Sequence, residues 1–222
     1  MVRVPFVGCA SDGQVGPLKA PKGTSKVLPI SPEMALRLAY YKAEQGSGIL
    51  APRGWHCFGT YGSNGDNLYV SPKPIDRRVL FSNRWEGFAG AAIQISDMIG
   101  DTSGRFGVAQ VIARVFPGHM AFVKGVISEG IEPASSFPRG PYPGDKLTYL
   151  NKEIVEYETP ANQNGLGTDS MLKKNGSQIS GVAILTGEEL SLIYLSVRLP
   201  PDATELGSVI IREIERKHIR HF

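Results

Sequence analysis

The chain has 222 residues, 41% of them hydrophobic, which is enough to bury a substantial core and sets intrinsic disorder aside. Its 24 Lys and Arg against 21 Asp and Glu leave a net charge of +3, too small and dispersed to make a nucleic-acid field. No apolar run reaches the ~18 residues that cross a bilayer, and 26 Gly with 16 Pro argue for many tight turns and against a purely helical protein.

In chain order, Val2 to Val7 reads as extended, and Gly13, Gly16, Pro17, Pro21 and Gly23 make an irregular arm up to about residue 30. Ser31-Pro32 offers an N-cap hydroxyl followed by proline at the first helical position, and Met34, Leu36, Leu38, Ala39, Tyr41 and Ala43 carry that helix towards Gly46. From Trp55 to Tyr61 and from Leu68 to Val70, aromatic and β-branched residues flank a turn around Asn64-Gly65, the signature of a hairpin. Pro72 and Pro74 end the pairing, and Arg78 to Phe81 reads as a short extended piece. Ala91 to Ser96 follows as a buried strand.

The period then becomes helical. Phe106, Ala109, Ile112, Ala113 and Phe116, then Met120, Val123, Val126 and Ile127 beyond Pro117-Gly118, predict two helices or one kinked helix. Pro133, Pro138, Pro141 and Pro143 make residues 131–146 a crossing loop. Lys146 to Asn151 and Lys152 to Thr159 read as strands. Ile179 to Leu185 and Leu190 to Leu199 read as a hydrophobic hairpin in mid-sheet, and between these pairs Pro160 to Ser170 reads as an exposed loop. After Pro200-Pro201, Asp202 or Thr204 can cap a helix whose apolar stripe is Leu206, Val209, Ile210 and Ile214. The fold class expected is α+β, mainly antiparallel sheet with helices on at least one face, in one domain over residues 1–222. The sheet is expected to come mainly from the C-terminal half, where strand patterns concentrate.

The two cysteines, Cys9 and Cys57, lie in Gly-rich, turn-rich surroundings rather than apolar stripes, which favours a disulfide between them and an oxidising compartment. Closing that loop stabilises by about 4 kcal/mol in the chain-entropy model. Catalysis by Cys57 is the alternative, but His56 beside it on a strand points to the opposite face, so His119 would have to act as the base. The N-terminus has no hydrophobic leader of useful length, so an export signal is expected to have been removed already, with Met1 artificial. Phe6-Val7-Gly8-Cys9 has a faint likeness to a lipoprotein processing box, which Arg3 and Pro5 do not suit.

Other patterns have bland readings beside the chemical ones. Gly59, Gly62 and Gly65 are spaced like a phosphate cradle, yet they lead into a strand rather than a helix and suit hairpin turns. Glu153, Glu156 and Glu158 share a strand, and Glu156 with Glu158 shares a face at ~7 Å, a separation glycosidases use and a solvated strand face equally shows. His56, His119, His218 and His221 include one close pair, His218 with His221, which is half a metal site at most, so no metal or cofactor is expected. Arg212, Arg216, Lys217, His218, Arg220 and His221 are interleaved with Glu213 and Glu215 as on a solvated helix face. The loop from Thr159 to Thr168 is long and polar, so Asn162, Asn164 and Thr168, with Trp55 as an aromatic contact, are the candidate binding residues. Trp85 and Tyr142 are further aromatic candidates, with core burial the alternative for each tryptophan.

Phe-Val-Gly-Cys-Ala-Ser-Asp-Gly-Gln-Val-Gly-Pro (residues 6–17) and Ala-Pro-Arg-Gly-Trp-His-Cys-Phe-Gly-Thr-Tyr-Gly-Ser (residues 51–63) resemble segments of uncharacterised exported bacterial proteins with a Cys-containing opening. The resemblance covers about a quarter of the chain; it implies export and no activity. The expected function is an exported, non-enzymatic module that binds an unidentified protein or small-molecule ligand through loops on an antiparallel sheet, with no nucleic-acid partner. The rival is a hydrolase using Cys57 with a distant histidine, or the Glu156/Glu158 face.

Overall fold

The computed structural model describes residues 1–82 and 85–219, with the side chain of residue 219 left aside. The elements run β1 (Val2–Gly8), β2 (Ser11–Gly13), β3 (Ser25–Leu28), α1 (Pro32–Arg37), β4 (Leu38–Lys42), β5 (Ile49–Pro52), β6 (His56–Gly62), β7 (Gly65–Ser71), α2 (Arg77–Leu80), β8 (Ala92–Met98), α3 (Arg105–Val115) and α4 (Met120–Ser128). They continue with β9 (Lys146–Tyr149), β10 (Ile154–Thr159), α5 (Leu166–Asp169), β11 (Ile179–Thr186), β12 (Ser191–Arg198) and α6 (Leu206–Ile219). The strands form a four-stranded sheet, β3-β1-β4-β5, and an eight-stranded sheet, β2-β6-β7-β8-β12-β11-β10-β9. Pairing is antiparallel except for β1 with β4 and β2 with β6, so the fold is α+β.

The large sheet is buried on both faces in its middle, which is why β11 and β12 are near-continuous hydrophobic runs. Ile154, Val182, Ile184, Ile193, Leu195 and Val197 point into a layer shared with the small sheet and with Leu206, Ile210 and Ile214 of α6. The alternate residues Val155, Tyr157, Ala183, Leu185, Leu192 and Tyr194 meet α3 and α4 on the other face. Tyr157 donates to Leu195 O at 2.8 Å across a backbone that only glycine permits, since a Cβ at Gly181 would stand 2.0 Å from that same oxygen. The fully buried Arg198 clamps the margin of β12, donating from Nε to Gly90 O at 2.8 Å, from Nη2 to Phe88 O at 2.6 Å and from Nη1 to Lys173 O.

The expected hairpin is β6–β7, closed by the two-residue turn Ser63-Asn64 between paired Gly62 and Gly65, the latter at φ 121°. The mid-sheet hairpin is β11–β12, and the helical stretch from Phe106 divides into α3 and α4 at Pro117. Four readings change. The helix begun at Ser31, whose hydroxyl accepts from Met34 N at 3.2 Å, stops at Arg37; Leu38 to Lys42 is a strand lying between β1 and β5. An apolar run this short suits both periods, and burial in the centre of a sheet decides for the strand. Arg78 to Phe81 is not extended: Asp76 accepts from Arg78 N at 2.8 Å and starts α2. The arm after β1 is not irregular throughout but contributes β2 and β3, with Leu28 buried. Consequently β2, β6, β7 and β8 supply half of the large sheet, and the C-terminal half does not dominate it.

Cys9 is bonded to Cys57 where the chain passes from β1 in the small sheet to β2 in the large one, with Cα atoms 5.4 Å apart. The bond ties that crossover to β6. Replacing both cysteines by serine is expected to lower the unfolding free energy by about 2–4 kcal/mol. Urea denaturation with far-ultraviolet circular dichroism tests this, and an unchanged midpoint would remove the bridge from the account of stability.

Candidate functional site

The apolar stripe of α6 fixes where its other residues go. Leu206, Ile210 and Ile214 face the core; at about 100° per residue Glu213 lies just beside that stripe, whereas Glu215 lies well outside it, next to the buried Ile211. Both glutamates are nearly fully buried, at 3% and 5% exposure. Glu213 is satisfied, accepting from Nε and Nη2 of Arg216 at 3.0 Å each, with Lys217 Nζ at 3.8 Å. Lys217 also donates to Gly48 O at 3.1 Å and lies 4.9 Å from the Tyr40 ring centre; burial lowers its pKa to about 8 despite Glu213.

Glu215 is differently placed. Its Oε1 is buried with no hydrogen-bond partner among the described residues, and its neighbour is another carboxyl group, Glu156 on β10. Two ionised carboxylates offer only acceptors, so a proton held by Glu215 is what turns the contact into a hydrogen bond. Burial first, and Glu156 second, push Glu215 up to about 8, opposed by the Arg212 guanidinium. At neutral pH Glu215 is therefore held mainly in its protonated form.

Two depressions flank this partition. One, of about 580 Å³, is mostly apolar and lies between α6 and the start of α1, with Pro29, Ile30, Met34, Val209, Arg212 and Glu215 in its walls. The other, of about 510 Å³, is polar and lies over β9–β11, where Lys146, Glu156, Glu158, Gln178, Ser180, Ser208 and Arg212 combine acceptors with donors. Arg212 lines both, Glu156 faces the polar cleft, and Glu215 backs it from the apolar side. The larger depression is the more apolar and the more open, while the polar one is the more enclosed and has Glu156, the carboxyl neighbour of Glu215, in its wall.

The residues singled out from the sequence do not gather in one place. Trp55, at the start of β6, is half-buried against the core and donates its backbone N–H to Tyr41 Oη at 3.1 Å. Four strands, β7, β8, β12 and β11, stand between β6 and β10, so ~4.8 Å per spacing puts it roughly 24 Å from the segment after β10. In that segment Asn162 is left-handed at φ 61° with its N–H on Asn175 O at 2.7 Å, while Asn164 is exposed. Thr168 Oγ1 closes α5 by accepting from Gly165 N at 2.9 Å and donating to Gly165 O at 2.8 Å. The stretch is thus a bonded turn and short helix rather than an open loop.

Cys57 carries no free thiol, so it has nothing with which to attack a substrate. His56 is exposed, and His119 packs edge-on against Phe116 at 6.5 Å on the α3/α4 side. Gly59, Gly62 and Gly65 are strand and turn residues. Glu158 is 46% exposed and meets Lys146 at 3.4 Å, so Glu156 finds its carboxyl partner in Glu215 and not in Glu158. Glu153 lies beside Lys152 at 3.2 Å. Trp85 packs with Tyr69 and Phe88, and Tyr142 stacks under Arg114 and donates to Asp169 at 2.7 Å. His218 is on α6, while His221 and Arg220 lie outside the described residues, among which no group of three or more His, Cys, Asp or Glu is placed to hold a metal ion.

In the sequence Glu213 and Glu215 alternate with cations and so resembled a solvated face. No protein-family model matches the chain, and no curated protein or solved structure is significantly similar to it.

The raised pKa of Glu215 has a definite sign. The folded chain keeps a proton that the unfolded chain releases above about 4.5, so this stabilisation is complete below pH 4.5 and is lost as the pH rises through about 8. Glu215→Gln keeps the shape without the ionisation and is expected to gain roughly 2–4 kcal/mol over the parent at alkaline pH, with little gain in acid. Urea unfolding at the two extremes measures it; an equal effect at both would deny that Glu215 ionises abnormally.

Proposed function

We propose that the protein is an exported, non-enzymatic module that binds a polar small molecule or a polar segment of a partner in the cleft bounded by β9–β11 and α6. The observation that carries this reading is the Glu156–Glu215 pair beside Arg212, because a buried carboxyl oxygen without a donor is costly and such groups concentrate at functional sites. Around it the cleft alternates acceptors with donors, which suits a ligand rich in hydroxyl or amide groups. Export is supported by the Cys9–Cys57 bridge, a bond that persists in oxidising compartments. No helix among the described residues is long and apolar enough to cross a membrane.

One observation favours a second reading. A buried, protonated carboxyl group beside a second carboxyl group is also the equipment of an acid–base hydrolase, with Glu215 as the acid and Glu156 as the base in place of Glu156 and Glu158. The binding reading is preferred because Glu215 Oε1 is closed to solvent, where a general acid must reach its substrate.

The test is fragment screening by amide chemical shifts on the isotopically labelled full chain. Hits are expected to move the amides of Ser180, Ser208 and Arg212, and Arg212→Ala is expected to weaken them at least about tenfold, the loss of one charge-assisted contact. Hits confined to other surfaces, or indifferent to Arg212→Ala, would overturn the assignment. Turnover of a glycoside or ester substrate that disappears in Glu156→Gln would promote the hydrolase.

A further inference from the structure

Residues 72–82 form a strap that leaves β7 and stands off the body of the fold. Pro72, Lys73, Pro74, Asp76, Arg77, Arg78, Val79 and Phe81 are all exposed, and only Leu80, with Ile75 partly, reaches inward to Phe58, Tyr69 and Trp85. The strap is nevertheless held in shape. Asp76 caps α2 through Arg78 N at 2.8 Å, and the Phe81 ring meets Phe58 edge-on at 6.3 Å.

Single exposed apolar residues are ordinary. Here two coincide: Val79 is 45% and Phe81 53% exposed on either side of the anchoring Leu80. Lys73, Arg77 and Arg78 surround them, none in a salt bridge among the described residues, against the single carboxylate of Asp76. An aromatic and an aliphatic side chain at a tip, ringed by unpaired cations, have the chemistry of a membrane–water boundary, where rings sit at headgroup level and cations meet phosphate.

We propose that this strap docks the protein peripherally on an anionic lipid surface, with Phe81 and Val79 entering the headgroup region and Lys73, Arg77 and Arg78 pairing with lipid phosphates. The site is independent of the cleft on α6. It adds a membrane surface to the partners of the protein without a membrane-spanning segment, and attraction falls away within a Debye length.

Co-sedimentation of the full chain with lipid vesicles tests this. Vesicles of phosphatidylcholine with about a third phosphatidylglycerol are expected to carry the protein down at low salt and release it at about 0.5 M NaCl, while phosphatidylcholine alone leaves it in solution. Each cation near such a surface contributes about fivefold in partitioning, so R77Q/R78Q is expected to weaken binding at least about tenfold. V79S/F81S is expected to abolish it, and because Phe81 also packs on Phe58, V79S alone, which leaves that contact in place, is expected to weaken binding with near-ultraviolet circular dichroism and melting temperature unchanged. Absence of binding, equal binding to both vesicle types, or wild-type binding by any of these variants would overturn the proposal. Heparin binding as tight as vesicle binding and untouched by V79S/F81S would replace the lipid with a soluble polyanion.

Discussion

The seating of Leu206, Ile210 and Ile214 between the two sheets is the interaction on which the rest of the structure depends. Neither sheet can leave its inner face in water, and α6 is the element that touches both β5 and β11. Burying three large aliphatic side chains is worth about 5–9 kcal/mol, comparable to the whole net stability of a domain. The crossover at Cys9 performs the complementary task, since Cys9 and Ala10 carry the chain from the small sheet to the large one and Cys9 is bonded to β6 there.

The same constraint creates the site. Once Ile214 is committed to the core, its two neighbours cannot both reach water, and the helix carries two carboxylates into the interior. One, Glu213, is neutralised by Arg216 and Lys217. The other meets Glu156 instead of a cation, and the cheapest state is a shared proton rather than two adjacent negative charges. Arg212, one turn earlier, then stands as a cation between a polar and an apolar depression. Charge, donor, acceptor and cavity therefore meet because the helix is amphipathic.

The sequence was most informative where a period persisted. The stripe of α6, the alternation in β6 and β7 and the apolar strands β11 and β12 each point one way at several successive residues, and the folded elements follow them. Leu38 to Lys42 failed because a short run, Leu38 to Tyr41, fits a helix or a strand equally, and the tie is broken by β1 and β5 on either side. β1 was legible as an extended opening, but β2 and β3 were hidden by the glycines and prolines around them. The disulfide followed from two cysteines in turn-rich settings. Glu215 could not be paired in advance, because its partner Glu156 lies 59 positions away and only the packing of α6 over β10 brings the two together. The loop at Asn162 to Thr168 looked like a binding surface by composition; in the fold the Thr168 hydroxyl is bonded within its own turn, while Asn162 and Asn164 are exposed.

The central claim is that Glu156 and Glu215 act as one proton-sharing pair, and carboxyl carbon shifts followed by NMR through a pH titration address it directly. Glu215 is predicted to show an inflection near pH 8 that moves down in Glu156→Gln, where the amide can donate to the Glu215 carboxylate. A Glu215 that titrates near the ordinary 4.5, or one indifferent to Glu156→Gln, would contradict the account.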